Sequence, residues 1–171
     1  MARRSNLTRI SALGLILIAS AALGGCGFTP LYATPGVAPA LQSVAVVAPD
    51  GRAGFLVREQ LEDALARDQS AAARYRLTYT VSQLRFPRGL RVNNIATGYE
   101  LDLTVIYALT DTGTGTVVYR GSAPVQVSYN SADAPYAGIA AQQDAEERAA
   151  RQAAVLIRLD LSRYFSQLAA K

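Results

Sequence analysis

The single thiol of this chain, Cys26, and a run of three guanidinium groups, Arg85, Arg88 and Arg91, are the side chains whose types and spacing best suit defined chemistry. Cys26 follows Leu23-Gly24-Gly25 at the end of an uncharged stretch from Ile10 to Leu23, which Arg3, Arg4 and Arg9 precede. A basic segment, an apolar segment and a small-residue cleavage point make a secretory signal. A cysteine at the first mature position, with leucine three residues before it, turns that signal into a bacterial lipoprotein signal. The thiol then takes a diacylglyceryl group, the new amine takes an acyl chain, and Cys26 becomes a membrane anchor. The competing reading is an ordinary buried thiol, since free cysteine is often buried. An uncleaved membrane span would need about 20 apolar residues, more than Ile10 to Leu23 provides.

The second group lies in Leu84-Arg85-Phe86-Pro87-Arg88-Gly89-Leu90-Arg91. Arginine grips phosphate with two parallel hydrogen bonds, and Leu84, Phe86 and Leu90 offer contact to hydrocarbon, so the run suits a ligand that carries phosphates beside acyl chains. A solvated loop whose arginines meet only water has the same composition.

Catalytic sets are scarce. The chain has no histidine and one cysteine, so it lacks Ser-His and Cys-His pairs, most transition-metal ligands and any internal disulfide. Its sole lysine is the terminal Lys171, which removes a Ser-Lys dyad. Glu100 with Asp102, and Glu146 with Glu147, are carboxylate pairs of the kind glycosidases use, but solvated strands and helices carry such pairs anyway. Gly113-Thr114-Gly115 lacks a following Gly-Lys and leads into a strand, so it reads as a hairpin turn rather than a phosphate loop. The chain is therefore expected to be no enzyme and to need no metal or cofactor.

Arg3, Arg4 and Arg9 fall in residues 1–25, which hold no Asp or Glu. Removing that segment lowers Lys+Arg from 17 to 14 against 13 acidic residues, and the net charge from +4 to +1. So small a charge argues against nucleic acid as a partner. The expected layout is a signal over 1–25, a lipidated tether over 26–40 rich in Pro and Gly, and a single domain over 41–171.

Within that domain, Leu41 to Ala48 reads as a short strand buried on both faces. Asp50 is placed to cap a helix from about Gly51 to Asp68, with Leu56, Leu61, Ala64 and Leu65 at helical spacing. A period of two then sets Tyr75, Leu77, Tyr79 and Val81 on one face of a strand. After the arginine-bearing loop it does the same for Tyr99 to Leu109 and, past the turn, for Val117 to Tyr129. Pro124 favours an edge strand. Ser131 to Gly138 is a loop or helix entry, with Asp133 and Pro135 as start signals. From Ala140 to about Leu168, Ala150, Ala153, Ala154, Ile157, Leu161, Tyr164 and Phe165 step as one helix face, with Glu146 on the wet side. The order β-α-β-β-β-α predicts an α+β fold in which about four strands carry two helices on one face.

Cys26-Gly27-Phe28-Thr29-Pro30-Leu31-Tyr32 resembles the mature start of the LPS-assembly lipoprotein family LptE. The resemblance implies the same α+β arrangement and a non-enzymatic role as partner, plug and assembly factor of the β-barrel LptD. It also implies an outer-membrane address and lipopolysaccharide (LPS) as the ligand that Arg85, Arg88 and Arg91 would meet. Gly27 agrees with that address, because aspartate there is the usual signal for inner-membrane retention. A pilotin-like lipoprotein serving another outer-membrane complex, or a lipid-anchored hydrolase, are the rival readings.

Overall fold

A computed structural model describes residues 35–90, 96–131 and 134–170. In chain order the elements are α1 (Val37–Gln42), β1 (Val44–Val47), α2 (Arg52–Leu65), β2 (Tyr75–Leu90), β3 (Ala96–Asp111), β4 (Val117–Asn130) and α3 (Pro135–Ala169). The expected β-α-β-β-β-α order is present, with one further short helix in front. The strands form one mixed sheet in the order β1-β2-β3-β4.

β1 runs parallel to β2, from Val44 beside Tyr75 to Val47 beside Thr78. Parallel neighbours need a crossover, and α2 supplies it. β2, β3 and β4 are an antiparallel meander. The β3–β4 turn is held by the Asp111 carboxylate, which accepts from the Gly113 and Thr114 amides at 2.8 and 3.1 Å, while Gly115 N–H donates to Asp111 O at 2.8 Å.

Alternation along the strands gives the sheet one dry face and one wet face. Leu77, Leu101, Val105, Tyr107 and Leu109 are buried on the dry side. Val57, Leu61 and Leu65 of α2 and Ile157, Leu161 and Phe165 of α3 join them in one core. Ala145, Ala149, Ala150, Ala153 and Ala154 are buried along α3, where small side chains let the helix axis come close to the sheet. At Gly121 a Cβ would collide with the Tyr107 ring, so only glycine lets that ring lie across β4. Tyr107 Oη then donates to Asp160 Oδ2 of α3 at 2.9 Å.

Four expectations are corrected. The stretch before Leu41 is not extended throughout, because α1 starts at Val37 and buries Val37 and Leu41. Those two residues sit four apart on one helix face, and Pro39 falls in the first turn, where a missing N–H leaves no helical bond unmade. The first strand is only Val44–Val47, and it is an edge with Val47 46% exposed rather than a strand buried on both sides. Gly51, not Asp50, occupies the cap of α2, no side chain bonds there, and the helix stops at Leu65. β2 continues through the segment expected to be a loop, as far as Leu90. α3 starts at the Pro135 start signal, in a first turn that proline's fixed φ suits.

Candidate functional site

The extension of β2 decides where the arginines lie. Residues three apart on a strand point to opposite faces, so Arg85 lies on the helix-bearing side of the sheet and Arg88 on the open side. Arg91 falls outside the described residues, as does Cys26. The expected cluster is therefore divided. Arg88 pairs with Glu100 across the ladder on the open face, and that carboxylate holds its guanidinium above the ordinary arginine pKa.

Arg85 is built into something more elaborate. Its guanidinium carbon sits 4.9 Å from the centroid of the Tyr99 ring. Tyr99 is paired directly across the ladder with Tyr129 and stacks on it, with centroids 5.5 Å apart. Arg85 Nη1 donates to Gln142 Oε1 of α3 at 2.7 Å. Gln142 Nε2 in turn donates to Glu146 Oε1 at 2.9 Å, and Arg52 Nε of α2 reaches Glu146 Oε2 at 3.1 Å. Gln83 Nε2 lies at 3.4 Å from the same carboxylate. Glu146, expected on the solvated side, is thus the node that ties α2, β2 and α3 together. Burial would raise its pKa, but Gln142, Arg52 and Gln83 together outweigh that and hold it below the ordinary carboxylate value.

Tyr129 Oη is buried and makes no hydrogen bond of normal geometry among the described residues. It is nevertheless the main influence that keeps the Arg85 guanidinium above its usual pKa, with burial opposing and Tyr99 and Glu146 adding to it. Arg85, Tyr99, Tyr129, Ile139 and Gln142 line a notch of about 230 Å³, open at the end of the sheet that carries the β2–β3 connection. Ile139, 56% exposed, and Tyr136, 87% exposed, add apolar surface on the first turns of α3 beside it. The notch offers a guanidinium for an anion, set among aromatic and aliphatic walls.

Sequence reasoning found Arg85, placed Tyr99 and Tyr129 only on strand faces, named Glu146 only as a solvated carboxylate and passed over Gln142. Alternation puts Tyr99 and Tyr129 on the same face, but the irregularity between Leu109 and Thr110 shifts the register away from what the turn alone would set, so their pairing was not legible in the sequence. No group of three or more His, Cys, Asp or Glu side chains suited to a metal occurs among the described residues.

Small bacterial lipoproteins share this four-stranded α+β domain. A solved structure described as a lipoprotein from Caulobacter crescentus CB15 is 48% identical, with a TM-score of 0.68 over 77% of this chain and 96% of the other. The rare lipoprotein B of Shewanella oneidensis shares the fold at 20% identity, with a TM-score of 0.56 over 73% of this chain and 97% of its own. A lipoprotein B of Nitrosomonas europaea does so at 15% identity, with a TM-score of 0.55 over 72% and 83%. No curated protein matches the chain by sequence. Residues 41–161 match the LptE family, described as lipopolysaccharide-assembly, and the chain belongs to that family.

Proposed function

We propose that this chain is an outer-membrane lipoprotein, anchored through Cys26, that works without catalysis as the partner and plug of an LptD-type β-barrel in delivering LPS to the outer leaflet. The family match over residues 41–161 carries the reading. The lipoprotein signal ending at Cys26 supports the anchor, and two or more acyl chains on one residue are enough for stable attachment. Direct contact with LPS is assigned to the notch, where Arg85 faces a phosphate beside the Tyr99–Tyr129 stack, and Ile139 and Tyr136 meet acyl chain. Arg88, on the open face of the sheet, and Arg91, outside the described residues, remain proposed contributors to LPS binding.

The experiment is purification from membranes of the lipidated full-length chain, with identification of what accompanies it. A β-barrel of the LPS translocon is expected, and Cys26→Ser should release the chain from the membrane fraction. Recovery of a different outer-membrane complex would replace the reading with a pilotin-like one. For the ligand, Arg85→Ala should weaken LPS binding and flatten its salt dependence, whereas Tyr129→Phe, which removes no charge, should leave that salt dependence as it was. Unchanged binding at low salt in the double variant would remove the notch as the LPS site and leave the partner role standing.

A further inference from the structure

β2 has 16 residues and β1 has 4, so no strand lies against the outer side of β2 beyond Thr78 among the described residues. One hydrogen bond fixes which way its backbone points. Tyr75 N–H donates to Ser43 O on the β1 side at 3.2 Å. Backbone groups alternate along a strand, so Tyr79, Val81, Gln83 and Arg85 turn both N–H and C=O toward that same side. Pro87, opposite Tyr99, shares their parity, and its missing N–H ends the open run.

The other edge of the sheet is different. Ser131 N–H donates to Thr97 O, so the even-numbered residues of β4 face outward. There Pro124 removes a donor in the middle of the strand, and Arg148 Nη2 of α3 reaches the Ser128 carbonyl at 3.4 Å. A proline and a covering cation are the devices by which sheets refuse a further strand. One edge is blocked at its centre; the other is open over Tyr79 to Arg85 and flanked on the wet face by Leu84 and Phe86, which are 57% and 43% exposed.

We propose that the outer edge of β2 from Tyr79 to Arg85 receives an extended strand of the membrane partner. That strand sets apolar side chains beside Leu84 and Phe86 and polar ones beside Gln83 and Arg85. The inference rests on the partner reading above. A second copy of this chain is a poorer occupant. A pairing this short, as the sole contact between two copies, buries far less than the roughly 1,200–2,000 Å² of a stable dimer. A barrel that takes the domain as its plug touches it on other surfaces as well, and confinement to one membrane adds to that, so a short strand suffices.

The test uses the full-length lipidated chain purified from membranes with its partner. A photo-crosslinking residue at position 83 should capture the co-purifying polypeptide, and one at position 122 on the β4 edge should not. Gln83→Pro removes an outward N–H while leaving the ladder to β3 intact. It should cut partner recovery by about tenfold or more with an unchanged melting temperature. Gln83→Ala, which keeps the N–H, should leave recovery as it was. Full recovery with Gln83→Pro, equal loss with Gln83→Ala, or a crosslink from position 83 to a second copy would each overturn the proposal. Should Gln83→Pro not fold, the crosslink at position 83 decides alone. If a partner co-purifies without touching position 83, the edge proposal alone falls; if no partner co-purifies, the partner reading falls with it.

Discussion

Tyr107 shows how one side chain commits two layers of the molecule to each other. Its ring crosses β4 only because position 121 is glycine, and its hydroxyl bonds Asp160 of α3. Gly121→Ala should therefore cost about 1–3 kcal/mol through displacement of the ring. Tyr107→Phe should cost about 1–2 kcal/mol through the lost hydrogen bond. Urea denaturation of both, and of the double variant, checks this: a double-variant loss well short of the sum marks a shared interaction. Burial pushes the Tyr79 phenol up to about 12, with Arg58 opposing and Glu62 adding, and Tyr79 Oη donates to Gly54 O at 2.8 Å. Burial also raises Tyr107, and the bond to Asp160 adds to it. Both phenols favour their protonated forms more strongly in the folded chain than in the unfolded chain. The stability they contribute is thus complete below the ordinary tyrosine value near 10 and is lost as pH rises through about 12 for Tyr79. A stability profile should be level up to pH ~9 and fall steeply above ~10, with a shallower fall in Tyr79→Phe.

Among the elements, α1 carries the sharpest prediction, because its sequence resembles a linker. Val37 is fully buried and Leu41 nearly so. Val37→Ala should cost roughly 1–3 kcal/mol in denaturant unfolding, whereas a tether residue would cost nothing. What the chain discloses about its own elements follows from how many neighbours each one needs. The alternations Tyr75 to Val81, Leu101 to Leu109 and Ala123 to Tyr129 disclose strands with one dry face, because burial on one side leaves a period of two in the sequence. The alanine and leucine steps of α3 disclose its face in the same way. The outer half of β2 does not. From Ser82 to Gly89 every residue is exposed, so the two faces differ too little to leave a period, and Pro87 and Gly89 argue for a loop. Pairing with β3 settles the matter from outside the segment, and Pro87 fits because its nitrogen faces away from β3. The notch was partly hidden for that reason: while Leu84 to Arg91 was a loop, nothing linked Arg85 to Tyr99 or Gln142. Three arginines close in sequence suggested one cluster, but strand geometry separates the two that are described.

At the scale of the whole molecule, no helix among the described residues is long and apolar enough to cross a membrane, α3 included, since Glu146, Glu147, Arg148 and Arg151 interrupt it. In the proposed reading Cys26 alone then sets the address, and the domain needs only to fold and to present its edge and its notch. How it folds follows from the uneven sheet. The meander of β2, β3 and β4 joins neighbours in sequence, while β1 reaches β2 only after the whole of α2 has been looped out. Closing that loop costs entropy before four residue pairs repay it. Val46, buried in β1, should accordingly act late. In stopped-flow measurements Val46→Ala should speed unfolding several-fold and leave refolding almost unchanged, with most of its ~1–2 kcal/mol appearing in the unfolding limb. The short parallel strand is then a latch: last to close, first to open. In hydrogen exchange, the amides that it shelters along the start of β2 should be the first among the sheet's strand-paired amides to admit deuterium.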